Sequence, residues 1–324
     1  MPDRFDGFAF AAADVLRELS TKGGTLDSSG MTSDDAAKAL AFALGNFAAV
    51  ETKEFSPNAL AQGFRTQVAE TVHHMAQLKS ALRSEKLEVA FQPILALGSL
   101  QLHHHEMLVR FQPDTSPAEL IRFAEKIGMI EEIDLAMCRR AISILRDCDG
   151  PKHDLAVNIS GKSLDSDQFV GSLLALLAPH AKLAKQLLFE ITESTAIQDL
   201  PRVERILLAL RKNGHRICLD DFGAGASSFA YLQALSVDFV KIDGAFVSRM
   251  RDSAKDRAIL KAMVALCRDL GVGVIAEMIE HVDQAHALME MGIGYGQGYL
   301  FGRPSAALTA PTDLANRPRL VYGR

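Results

Sequence analysis

The stretch ICLDDFGAG, residues 217–225, decides the fold: an apolar run closes on two adjacent acids and breaks at once into a glycine turn. Successive strand residues point to opposite faces, so Asp220 and Asp221 reach one site only where the strand ends and the chain turns. Phe222-Gly223-Ala224-Gly225 supplies that turn. Working outward, the same form repeats, with apolar segments running into Glu106 in HHEMLVRF, Asn158 in LAVNIS, Glu190 in LLFEITES, Lys241 in FVKID and Glu277 in VIAEMIE. Buried strands that end on polar groups and give way to helices are the sequence form of an α/β barrel with its chemistry at the carboxyl ends of its strands. Strands are predicted at 89–94, 100–111, 154–160, 187–192, 216–221, 238–243, 273–279 and 293–301. Helices are predicted between them, for example at 117–127, 131–147, 199–213 and 255–270, with stops at Gly150-Pro151, Gly214 and Gly271. The alternation implies parallel pairing through crossover helices. No glycine-rich phosphate turn follows the first strand, which sets aside an open doubly wound sheet.

Residues 1–80 read differently, as a small helical amino-terminal segment without strand signals. Ser33, Asp34 and Asp35 open a helix with Leu40, Leu44 and Phe47 at helical spacing, and a longer helix at 64–87 carries Val68, Val72, Met75, Leu78 and Leu82 on one stripe. Such a stripe either packs on its own neighbours or couples a sensor, dimer or protein partner to the barrel. The reading therefore divides the chain into a helical segment at 1–80, a barrel at 81–306 and a carboxyl-terminal tail at 307–324.

With 48% hydrophobic residues in 324 and a formal net charge of -5, the chain can bury a large core and has no electrostatic footprint for a DNA or RNA polymer. The acidic start MPDRFDGFAF lacks the cationic opening of a signal peptide, and no apolar run reaches the ~20 residues of a membrane helix, so a cytoplasmic protein with no membrane insertion is expected. Cys138, Cys148, Cys218 and Cys267 have no CxxC spacing and read as reduced, mostly buried thiols.

Any one of the strand-end acids could cap a helix or pair with a lysine. Together they converge on one mouth, where unneutralised acids repel at a cost that cations remove. Hard oxygen ligands without cysteine favour magnesium or manganese over zinc, and a carboxylate bridging two such ions suits phosphodiester cleavage. Lys241, the lone cation among acids, is suited to hold or help deprotonate an attacking water. In the run His103-His104-His105 at most His104 shares the face of Glu106, and the run is expected on strand surfaces or under helices rather than on a metal.

At this point the residues resemble a known family. FQPI at 91–94, EML at 106–108 followed by VRF, NIS at 158–160, FEITES at 189–194, DDFGAGASSF at 220–229, KID at 241–243, AEMIE at 276–280 and GQGYLFGRP at 296–304 together are similar to the EAL-domain cyclic di-GMP phosphodiesterases. The resemblance implies a TIM-like (β/α)8 barrel of the EAL type and hydrolysis of cyclic di-GMP to the linear dinucleotide pGpG. It implies a two-metal site for Mg2+ or Mn2+, with Glu106, Asn158, Glu190 and Asp220 at one ion and Asp220, Asp221 and Glu277 at the other. Lys241, Glu106 and Glu277 would be the catalytic residues, Lys241 holding the water. Gln92, Leu108, Arg110 and Asp243 would contact substrate, and Arg303 and Pro304 would lie near a guanine base. Glu193 would anchor the loop after Asp221, with Glu280 and Gln297 supporting the metals. A homodimer is implied as well.

Met107, Met278, Ala224 and Ala226 depart from the family pattern, and none of them removes a ligand. The two loop alanines loosen the support of Asp221, so the competing expectation is a weak or inactive cyclic di-GMP receptor that signals through its amino-terminal helices.

Overall fold

Eight strands close on one another in chain order: β1 (Val89–Ala96), β2 (Leu102–Val109), β3 (Leu155–Ser160), β4 (Leu187–Thr192), β5 (Arg216–Phe222), β6 (Phe239–Ile242), β7 (Gly273–Ala276) and β8 (Tyr295–Gln297). The computed structural model describes residues 32–49, 57–83, 87–111, 116–147, 153–192, 197–225, 228–251 and 253–308. Glu193, Ala226 and Cys148, all singled out from the sequence, lie outside the described residues.

The uniform parallel pairing expected from the sequence does not hold. β1 runs antiparallel to both β2 and β8, whereas β2 through β8 pair in parallel. The cause is the connection: only residues 97–101 separate β1 from β2, and a parallel crossover needs roughly a dozen residues or more. Those residues turn back at once, with Leu100 at φ 55. Gln92 consequently faces Glu106 across the hairpin.

Helices follow the later strands and start where a capping side chain stands. Asp199 caps Leu200–Lys212 by accepting from the Arg202 N–H at 2.9 Å, and Ser253 caps Ala254–Asp269 by accepting from Asp256 at 3.1 Å. The side chains that point inward from the strands form a lower layer in which Ile94, Ala156, Leu188, Cys218 and Ile275 are fully buried, with Phe239 and Tyr295 packed against them. This is the filled interior of a small barrel.

The described residues divide into two compact units. One holds the barrel. The other holds α1 (Ser33–Ala49), α2 (Pro57–Arg83) and α3 (Pro117–Ile127), the last following β2 in the chain. In that unit Ala43, Phe64 and Val68 form a cluster lined by Leu40, Leu44 and Val72, while the side chain of Phe47 lies outside the described residues. Asp35 accepts from the Thr32 backbone N–H at 2.6 Å and pairs with Lys79, tying α1 to α2. The longer helix begins at Pro57, seven residues before the stripe that predicted it, and ends at Arg83; proline suits a first helical position because its missing N–H has no partner there. Among the described residues no helix is long and apolar enough to cross a membrane. Cys138, Cys218 and Cys267 are free and buried.

Candidate active site

Two residues above the lower layer, every strand contributes one polar side chain to the barrel mouth: Gln92, Glu106, Asn158, Glu190, Asp220, Lys241, Gln297 and, directly after β7, Glu277. The period of two along a strand makes this ring from the alternation in the sequence. At its centre the Lys241 ammonium, 1% exposed, lies 3.2 Å from Glu106 Oε2, 3.1 Å from Glu190 Oε2, 3.2 Å from Asp220 Oδ1 and 2.9 Å from Glu277 Oε1. Glu106 also accepts from Asn158 Nδ2 at 2.9 Å and from Gln297 Nε2 at 2.7 Å. Gln297 donates onward to Gln92 Oε1 at 3.1 Å, and Gln92 donates to the Gly302 carbonyl at 3.2 Å.

Asp221 joins this ring because the backbone bends for it. Its φ is 53, and the register between β5 and β6 shifts between Leu219 and Phe222. A β-bulge of this kind re-aims a side chain, so the two neighbouring acids turn to one side. Gly223 continues the turn at φ 97, and its N–H donates to Ser228 Oγ at 3.1 Å.

Four carboxylates around one ammonium exceed what it can neutralise, and burial shifts their protonation accordingly. Burial lifts Glu190 well above the usual carboxylate range, with Glu106 and Asp220 adding to it. Burial also raises Asp220, pushes Glu277 up to about 8 and pushes Asp221 up to about 6, the last helped by Asp220. Glu106 goes the other way: burial opposes, but Lys241, Gln297 and Asn158 together hold it below its usual value. Burial likewise pulls on Lys241, yet the surrounding carboxylates keep its ammonium well above the ordinary lysine value.

Ligand oxygens of Glu106, Glu190 and Asp220 lie within 4.8 Å of one another, as do those of Asp220, Asp221 and Glu277, so Asp220 belongs to both triads. Asn158 Oδ1 and Glu190 Oε1 are buried without a hydrogen-bond partner. Oxygen donors, surplus negative charge and orphaned acceptors are the conditions a hard divalent cation satisfies.

The other residues singled out from the sequence lie around this ring or away from it. Leu108 and Arg110 are half-buried beyond Glu106, and the Arg110 guanidinium donates to the Val109 carbonyl at 3.1 Å. Asp243 caps the helix Gly244–Arg249 by accepting from the Ala245 N–H at 2.7 Å. The Arg303 guanidinium stacks over Tyr299 at 4.0 Å, beside a half-buried Pro304. Glu280 is exposed at the start of the helix Val282–Glu290, where its backbone N–H donates to Gln284.

His104 corrects the expectation that the histidine run lies on strand surfaces or under helices. It is fully buried inside the barrel, with Nε2 3.7 Å from Glu190 Oε1. His105 packs outward against Phe91 and His153, while His103 stacks on Tyr295 and Phe239. The signal for His104 was its spacing: two residues before Glu106 on one strand means the same face, one layer down.

The family model described as EAL domain matches residues 75–304. The cyclic di-GMP phosphodiesterase PdeB of Shewanella oneidensis is 37% identical over 235 residues, covering 70% of this chain and 28% of that protein. This chain thus spans less than a third of that relative. A solved structure of the PaMucR phosphodiesterase in complex with c-di-GMP superposes with a TM-score of 0.63 at 32% identity, covering 72% of this chain and 97% of that one. The manganese/cy-diGMP complex of Klebsiella pneumoniae BlrP1 superposes with a TM-score of 0.60 at 30% identity, covering 69% and 57%.

Proposed function

Since this chain belongs to the EAL domain family, we propose that it hydrolyses cyclic di-GMP to linear pGpG in a reaction dependent on Mg2+ or Mn2+. The observation that carries the reading is the pair of acid triads sharing Asp220 around a buried ammonium. The relatives named for cyclic di-GMP hydrolysis support the substrate, and the manganese complex of a relative supports the cation.

In this reading Glu106, Asn158, Glu190 and Asp220 hold one cation, and Asp220, Asp221 and Glu277 hold the second. When bound, two such ions neutralise charge on the attacking and leaving oxygens of an in-line displacement. Lys241 is a donor rather than a base: with four carboxylates about it the ammonium stays protonated, and it orients the attacking water. Glu277, whose Oε1 lies 2.9 Å from that ammonium, accepts, when its carboxyl is ionised, the proton the water gives up. The water oxygen bonds to phosphorus, the P–O3′ bond breaks, and the leaving 3′ oxygen takes the proton that Glu277 accepted. Arg110 grips a phosphate through its planar fork. Gln92, Leu108 and Asp243 border the substrate, and Arg303 with Pro304 meets a guanine base. Glu193 anchors the loop after Asp221, Gln297 holds Glu106 in place and Glu280 supports the site from outside the ring. The homodimer belongs to the same proposal; Phe229, 51% exposed on the helix after the acid pair, supplies an apolar contact for it.

The test is incubation of the purified chain with cyclic di-GMP in Mn2+ or Mg2+, followed by chromatography, with a binding titration in Ca2+ alongside. Linear dinucleotide is the expected product. Tight binding without product would overturn the enzyme reading in favour of a receptor.

A further inference from the structure

Beneath the acidic ring a line of polar side chains runs up the barrel interior to Glu190. It starts at the Arg216 guanidinium, which donates to Asp154 Oδ2 at 2.6 Å and meets His103 Nε2 at 3.4 Å. His103 Nδ1 lies 2.7 Å from His104 Nδ1. His104 Nε2 then faces Glu190 Oε1 at 3.7 Å, and neither of these two buried atoms has another hydrogen-bond partner.

The direction of every proton in this line follows from its lower end. A guanidinium only donates, so His103 Nε2 accepts. A neutral imidazole that accepts at one nitrogen carries its proton on the other, so His103 Nδ1 donates to His104 Nδ1. By the same rule His104 carries its proton on Nε2, the nitrogen that faces Glu190. Both rings are neutral, because an imidazolium has no lone pair to accept with and each ring accepts at one nitrogen, His103 Nε2 from Arg216 and His104 Nδ1 from His103.

We propose that His104 is a positioning residue for Glu190, locked by Arg216 through His103 in the tautomer whose Nε2–H is aimed at Glu190 Oε1. The carboxylate is thereby fixed with Oε2 toward Lys241 and the cation ligands. A small approach of the two groups closes the 3.7 Å gap and satisfies two buried polar atoms that otherwise have no partner. The consequence for cation affinity rests on the metal reading of the ring given above; the tautomer assignment does not.

Two measurements on the full chain test this. Ring 15N shifts of histidine-labelled protein, with His104 assigned by its loss in H104Q, should show His104 protonated on Nε2 and bare on Nδ1; the opposite tautomer overturns the proposal. Mn2+ titration should show H104L bound roughly 10–100-fold more weakly than wild type. H104Q, which restores an N–H donor, should recover most of that loss. Wild-type affinity in folded H104L, or H104Q as weak as H104L, overturns the donor role. If wild type itself takes no Mn2+, the metal reading of the ring falls. If H104L fails to fold, or wild type takes no metal, the ring 15N shifts alone decide the proton line.

Discussion

At Lys241 four carboxylates within 3.2 Å share one buried ammonium, so removing that cation strands acids with no water to solvate them. Breaking a buried charge network on one side costs about 3–5 kcal/mol. Lys241→Met, nearly equal in volume, is therefore expected to lose about that much stability in urea denaturation with EDTA present. An unchanged denaturation midpoint would mean that the ring acids are already protonated and that Lys241 is not their counter-ion. Asp221 was legible as an acid needing a turn to share its neighbour's site, and its φ of 53 is that turn. What the residues alone did not reveal is how completely Gln92 and Gln297 are tied to Glu106, because an amide's partner across a barrel depends on shear rather than on local pattern.

At the scale of elements, β2 is where sequence and structure teach most. Its histidines are neutral when folded; burial, with His153 adding, lowers His105 to about 4, against an ordinary value of 6.5. The unfolded chain takes up this proton first, so the stability contributed is complete above about 6.5 and is lost as pH falls toward about 4. For His105, which is fully buried, the loss between pH 7.5 and pH 5 is about 2 kcal/mol. Urea titrations at the two pH values should show it, with a smaller loss in His105→Phe, which removes two ring nitrogens that lack partners. Equal losses in both proteins would assign the acid sensitivity elsewhere. The strands were legible because each is an apolar run ending near a polar group, but the hairpin direction was not. The predicted bounds left residues 95–99 between the first two strands and began the second two residues early, at 100 rather than 102. The last three strands are also shorter than their apolar runs, since the backbone turns at once beyond Lys241, Glu277 and Gln297. At Gly298, φ 155, a Cβ would stand 2.2 Å from the Ile279 carbonyl oxygen, a closeness that no strand pattern announces.

For the molecule as a whole, cations held by the shared-Asp220 triads, as proposed above, would couple folding to cation supply. A ligand that binds only the folded state stabilises it by RT ln(1 + [L]/Kd), about 2.7 kcal/mol at a hundredfold excess over Kd. Thermal unfolding should therefore shift upward by several degrees in Mn2+ relative to EDTA, and Asp220→Asn should remove most of the shift because both triads lose a member. A shift that survives in Asp220→Asn would place the cation outside the ring. The grouping of Pro117–Ile127 with the amino-terminal helices was not legible, since that helix sits in the chain between two barrel strands and its periodicity names no partner.

The reversed β1 has a mechanical consequence. Because Val89 pairs with Val109 at the carboxyl end of β2, the polypeptide arrives at the rim of the acidic ring rather than at the far end of the barrel. A pull on the backbone at Glu88 travels only four residues before it reaches Gln92, and from there passes by hydrogen bond to Gln297 and Glu106. In an all-parallel barrel the same force would first cross the full length of a strand. Here the arriving chain is a drawstring at the mouth, with the metal-ligand candidates at its end.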